Sequence, residues 1–306
     1  WRFDIRLGGE KKPEKPKKEK KPKKEGEEAP EKNAALRRSI AIVAVLAAAA
    51  ALLRFLPGLL GVGGSAPWSK NFDGPVRDTE IRCLSCDVTV LPSEDGRCYA
   101  EYSGSRSCTR TAEVKNGTLT IEEKRPLPRF FAFSGNRQTT LKVYLPEETG
   151  TLNLSAVSGD LRIPEGFDTD KAVLETVSGD IFAGELRCAT LTVVTVSGDV
   201  EISGTTVERN ADFEAVSGEL SLDGFTAGDI TVETISGDVD AGDIDADTLD
   251  ISTVSGNVSL GLRSPMDYDT STVSGDVTVP ASDRSGGSCR VSTTSGDIWI
   301  GSGAGV

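Results

Sequence analysis

The phrase Ser-Gly-Asp, or a near variant preceded by a small or β-branched residue, occurs eight times in the C-terminal half of this chain. Its serines are Ser158, Ser178, Ser197, Ser217, Ser236, Ser255, Ser274 and Ser295, spaced by 20, 19, 20, 19, 19, 19 and 21 residues. A fixed period in this range marks one supersecondary unit stacked on copies of itself. A group that recurs eight times in register is a structural part before it is a catalytic one.

Each period reads as two short strands. Around Ser197, Leu191 and Val193 lie six and four residues before the serine, and Val200 and Ile202 lie three and five after it. The same positions hold Ile230 and Val232 around Ser236, and Ile298 and Ile300 after Ser295. This period-2 alternation predicts one inward face per strand, joined through the Ser-Gly-Asp corner. There glycine supplies a positive φ or a bulge, and serine and aspartate bond nearby backbone. Two residues before each serine stands Thr or Ala, so that inward space is small. One coil cannot cover its own apolar side, but a stack can. The expected architecture is an all-β solenoid of 19–20 residues per coil; at about 4.8 Å per strand, eight coils give a rod roughly 40 Å long.

The charge is segregated. Residues 1–38 carry 14 Lys+Arg against 8 Asp+Glu, and the remainder carries 20 against 39. An acidic repeat region argues against nucleic acid as partner, because phosphate binding needs a basic footprint. Histidine is absent, which excludes Ser-His-Asp catalysis and His-ligated metal sites. No isolated carboxylate pair departs from the repeat, so the chain reads as a non-enzyme and no cofactor is implied.

The N-terminal part divides by composition. Residues 1–38 form a Lys/Glu/Pro-rich basic tail, too polar to support a core. Residues 39–62 are apolar apart from Arg54 and long enough to cross a bilayer, which predicts one transmembrane helix. A cleaved signal peptide is the competing reading. Arg37, Arg38 and the lysine run place the tail in the cytoplasm under the positive-inside rule. Residues 63–78 are expected to be a tether, and 79–306 an extracytoplasmic repeat domain.

The repeat phrases, with the lead-in Cys86-Asp87-Val88-Thr89-Val90 and Leu141-Lys142-Val143-Tyr144-Leu145-Pro146, resemble the putative adhesin family of β-strand-repeat proteins, domain of unknown function 4097. The likeness runs roughly from Thr79 to Ile300. It implies an extracytoplasmic envelope protein, some relatives being linked to envelope stress signalling, and it carries over no catalytic residue.

Two groups of residues are candidates for chemistry. The acidic row of Asp160, Asp180, Asp199, Glu219, Asp238, Asp276 and Asp297, interrupted by Asn257, would place like charges about 5 Å apart and could attract Ca²⁺. The alternative is that each carboxylate caps its own turn. Four of the six cysteines, Cys83, Cys86, Cys98 and Cys108, cluster ahead of the repeats; outside the membrane they would form disulfides, with metal binding or free thiols as alternatives. Cys289 falls on a core position. Asp243-Ile244-Asp245-Ala246-Asp247 starts like an EF-hand loop, but Thr248 and Val254 stand where Gly and Glu are required, so that reading fails.

The sequence therefore predicts a membrane-anchored envelope protein that presents an acidic β-solenoid for adhesion or envelope interaction. The alternative is an envelope-stress sensor or regulator whose ligand is a cationic peptide or another envelope component.

Overall fold

The computed structural model describes residues 67–104, 109–124, 139–164, 166–284 and 286–302. The expected tail and transmembrane segment lie outside these residues, as does Cys108. Among the described residues every regular element is a strand, and no helix is long and apolar enough to cross a membrane.

Seven strands precede the coils. They are β1 (Trp68–Phe72), β2 (Asp78–Cys83), β3 (Asp87–Pro92), β4 (Cys98–Ser103), β5 (Thr109–Lys115), β6 (Thr118–Lys124) and β7 (Thr140–Leu145). The regular coils follow as β8 (Glu148–Ala156), β9 (Leu161–Ile163), β10 (Asp168–Ser178), β11 (Ile181–Gly184), β12 (Arg187–Ser197) and β13 (Val200–Ser203). They continue with β14 (Thr206–Ser217), β15 (Leu220–Asp223), β16 (Thr226–Ser236), β17 (Val239–Thr253) and β18 (Val258–Leu262). The chain finishes with β19 (Asp267–Ser271), β20 (Val277–Thr278), β21 (Ser288–Ser292) and β22 (Ile298–Ser302).

These strands build two sheets. The long-strand sheet runs β5-β6-β2-β8-β10-β12-β14-β16-β17-β21-β19. The short-strand sheet runs β1-β4-β7-β3-β9-β11-β13-β15-β17-β18-β22-β20. Pairing is parallel throughout the coils. It is antiparallel at β1–β4, β4–β7 and β5–β6, where the sheets are closed at one end of the rod. Strand β1 falls within the stretch expected to be a tether, so the folded region begins earlier than the composition implies.

The inward positions named from the period form the core. Leu191, Val193, Val200 and Ile202 are buried, as are Ile230, Val232, Ile298, Ile300 and Cys289. A further buried column, Phe167, Leu186 and Phe225, closes the corner opposite Ser-Gly-Asp. Phe225 meets Phe213 edge-on at 5.8 Å, where Ala211 and Ala215 leave room for the larger ring.

The stack does not follow chain order at its C-terminal end. Ser295 bridges both Ser255 and Ser274, so the last coil inserts between the two that precede it in sequence. Composition explains the inversion. The inserted coil brings Cys289, Val291, Ile298 and Ile300 into the core, all buried. At the matching positions the displaced coil has Tyr268, Thr270, Val277 and Val279, of which Tyr268 packs against the core while Val277 and Val279 are left 41% and 37% exposed at the end of the stack. The more apolar coil takes the position covered on both sides, where burial is worth about 25 cal/mol per Å².

Candidate functional site: the repeated corner and the acidic faces

At most corners the Asp or Asn side chain reaches the next coil rather than its own turn. Asp87 Oδ1 accepts the amide N–H of Asp160 at 3.2 Å, Asp160 that of Asp180 at 3.1 Å, and Asp180 that of Asp199 at 3.0 Å. Asp199 Oδ1 continues to the Glu219 amide at 2.9 Å. Beyond Glu219 the ladder resumes from Asp238 to Asn257 at 2.7 Å, Asn257 to Asp297 at 3.0 Å, and Asp297 to Asp276 at 2.8 Å. Asn257 fits because its Oδ1 accepts as a carboxylate oxygen does. Among the described residues no three of these carboxylates bring oxygens within 4.8 Å of one another. The row is a single file, one acceptor per coil.

The glycine serves close approach. A Cβ built on Gly159, Gly179, Gly198, Gly237 or Gly256 would stand 2.0–2.3 Å from a carbonyl oxygen of the adjacent corner. Gly218 alone among the corners of the regular coils also has a left-handed φ, 123°. Absence of a side chain, more than a special dihedral, is what most corners require. The inward Thr176, Thr195, Thr234, Thr253 and Thr293, each two residues before a corner serine, are buried, and the hydroxyls of the first four have no hydrogen-bond partner.

Register reveals a ninth corner. Cys83 pairs with Ala156 and Val88 with Leu161, so Ser85-Cys86-Asp87 occupies the Ser-Gly-Asp position of the first coil. Cys86 can replace glycine there because it lies on the capped side of the stack. Its sulfur is bonded to Cys83, whose Cα is 5.8 Å away. From β6 the buried Glu123 accepts the amides of Leu84 and Ser85 at 2.9 and 3.0 Å. The two sulfurs and the Glu123 carboxylate lie within 4.8 Å of one another, but the disulfide and the two amides already engage them. Of the other cysteines expected to pair, Cys98 is a buried free thiol, as are Cys188 and Cys289; burial pushes each up to about 12.

Counting the corner carboxylates, the coils are strongly acidic. Residues 151–262 hold 22 Asp+Glu and 4 Lys+Arg, a net of 4 − 22 = −18. On the long-strand sheet Glu214 and Glu233 are register partners, with Asp212 beside them. Desolvation, then Glu233, Asp212 and Glu175, raise the Glu214 carboxyl above its usual range. The neighbouring outward column of Val177, Val196, Val216 and Ile235 is half-buried. In the segment that began like an EF-hand loop, Asp243 is paired instead with Arg263 through two bonds of 2.9 and 2.8 Å. This pairing lowers its carboxyl and leaves no calcium loop.

A family model, Toastrack DUF4097, matches residues 76–301. The chain belongs to the Toastrack family. Solved structures are similar to this chain at low identity. A putative adhesin from Parabacteroides distasonis matches with 13% identity and a TM-score of 0.50, over 77% of this chain and 98% of that one. A putative lipid binding protein from the same species has 16% identity and a TM-score of 0.49, over 78% and 98%. A putative adhesin from Bacteroides fragilis has 14% identity and a TM-score of 0.46, over 78% and 100%. No curated protein matches. At 13% identity the likeness to the Parabacteroides distasonis adhesin structure concerns the fold alone.

Proposed function

We propose that this Toastrack protein is a non-enzymatic, membrane-anchored envelope protein that presents its acidic solenoid to a cationic surface or ligand. The observation that carries this reading is the net −18 over residues 151–262, spread on a rigid stack whose repeated polar groups are spent on holding coils together. A charged rod captures opposite charge through its long-range field, and salt weakens that capture. The apolar segment 39–62 would anchor the chain, with the coils outside and the basic tail in the cytoplasm. The similar structure from Parabacteroides distasonis described as a putative adhesin is consistent with a surface-presenting role.

The test is adhesion of cells displaying the full chain to a cationic surface, compared with cells displaying a chain lacking residues 79–306. Adhesion that depends on the coils and falls with salt supports the reading, and equal adhesion without them removes it. The second reading is an envelope sensor in which ligand capture outside is reported through the basic tail. It rests on the tail's opposite charge and predicts a change in tail protease sensitivity when a cationic peptide is added to intact cells.

A further inference from the structure

The capped end of the rod carries a groove of about 1250 Å³ that none of the repeat chemistry uses. Its floor is the outer face of the short-strand sheet, and its wall is the turn from Ser93 to Arg97. Four adjacent strands place one residue each in a row across that floor: Asn71 is the register partner of Tyr99, Tyr99 of Tyr144, and Tyr144 of Leu91. The flanking Phe72 and Cys98 point into the core, so by strand alternation Asn71 and Tyr99 point out. The two phenol rings stack at 4.2 Å with an interplanar angle of 11°.

Around this aromatic pair the lining is acidic. Asp73, Glu94, Asp95, Glu101 and Glu147 supply five carboxylates against the guanidinium of Arg97. Asp95 is committed to its turn, where its Oδ1 accepts the Ser93 hydroxyl at 2.8 Å and the Arg97 amide at 3.0 Å. Lys142 is the cross-strand partner of Glu101 and offsets part of that charge. Asp73, Glu94 and Glu147 face no cation within ion-pairing distance among the described residues. The Tyr99 phenol reports the same field: desolvation, then Tyr144 and the carboxylates of Glu101, Asp95 and Glu94, push it up. An aromatic face attracts a cation through its quadrupole, by about 0.5–1 kcal/mol at exposed sites and about 2 when desolvated. Carboxylates at the rim add charge-assisted hydrogen bonds. Neutral ligands gain from the rings but nothing from the charge.

We propose that this groove is the specific seat for cationic side chains of a basic peptide, with an ammonium or guanidinium group held against the Tyr99–Tyr144 pair and its neighbours held by Glu94 and Glu147. It rests on the reading of the protein as an acidic capture module, and gives that module a defined site in place of a diffuse field.

The experiment is titration of the full chain in detergent with a fluorescent hexa-arginine peptide, at low salt and at about 0.5 M salt. The paired change Tyr99→Ser with Tyr144→Ser, and separately Glu94→Gln with Glu147→Gln, should each weaken binding by about tenfold, while Tyr99→Phe with Tyr144→Phe keeps the ring faces and the affinity. Glu214→Gln with Glu233→Gln, on the coil face, should change it by less than about threefold. The reverse pattern, groove variants unaffected and coil-face variants impaired, overturns the groove and leaves the acidic module standing. Absence of salt-sensitive binding by the unaltered chain overturns both. Tyrosine-dependent binding of a neutral hexasaccharide in place of the peptide overturns the ligand class. Melting temperatures of the variants no lower than the parent's exclude misfolding as the cause.

Discussion

Gly198→Ala should uncouple two neighbouring coils. The new methyl carbon would sit 2.0 Å from the Gly179 carbonyl oxygen and 2.7 Å from its carbon, where 3.0 Å is the practical minimum. The corners must therefore separate by at least the difference, 3.0 − 2.0 = 1.0 Å. Two bonds cross that gap: Asp199 N–H to Asp180 Oδ1 at 3.0 Å, and Ile181 N–H to the Asp199 carbonyl at 2.9 Å. Both would lengthen to about 4 Å, beyond hydrogen-bonding range. A neutral bond contributes about 1 kcal/mol and one to a charged group about 1.5–3. Against this, alanine restricts the unfolded chain and returns about 0.4–1 kcal/mol. The net expected loss is about 1.5–3.6 kcal/mol, or roughly 3–14 °C in melting temperature for a domain of this size. The control is Gly184→Ala, whose Cβ would lie 3.3 Å from the Pro164 carbonyl and requires only a small adjustment. Scanning calorimetry of both variants decides the matter. Equal melting temperatures for Gly198→Ala and Gly184→Ala would refute close approach as the reason for glycine.

Thr195→Val should stabilise the fold by about 1 kcal/mol, because a buried hydroxyl without a partner is replaced by a methyl of the same shape; chemical denaturation reads this, and a loss of stability would show a hidden bond. For Glu214 the folded carboxyl lies above its unfolded value, so the folded state prefers the protonated form and stability falls as pH rises through that raised value. Glu214→Gln should therefore flatten the stability profile in the window just above 4.5 and raise stability at neutral pH, as thermal melts across pH would show. The thiols of Cys98, Cys188 and Cys289, buried and pushed up to about 12, should resist iodoacetamide in the native state and react on unfolding; native labelling of any of them, read by mass spectrometry, would show local opening.

How much of this was legible depended on whether a feature lies along a coil or between coils. The period and the inward apolar pairs are properties of one coil, and positions such as Val193 and Ile202 could be assigned from alternation alone. The role of Asp180 could not, because its acceptor oxygen serves an amide 19 residues away and local turn chemistry looks equally good on paper. The ninth corner was hidden by Cys86 in the glycine position and by the 73 residues that separate Asp87 from its partner Asp160. Its signal was present in Ser85 and Asp87 followed by Val88 and Val90, the same offsets used by every later coil. The inverted order of the last two coils rests on a comparison of their inward residues, Cys289, Val291, Ile298 and Ile300 against Tyr268, Thr270, Val277 and Val279, which the period itself does not prompt. The groove depends on strands from the irregular lead-in, where no repeat assigns register, and so Tyr99 and Tyr144 were not foreseen as neighbours.

The central claim is that the repeated aspartate holds the next coil rather than acting as a charge. Replacing Asp180 by Asn and by Ala, with amide hydrogen exchange measured at Asp199, tests it most directly. Asparagine retains the acceptor, as Asn257 does toward Asp297, and should leave both stability and exchange close to the parent. Alanine should cost about 1.5–3 kcal/mol and accelerate exchange at Asp199 ahead of the rest of the coil. Asparagine as damaging as alanine, or an Asp199 amide indifferent to both, would contradict the account.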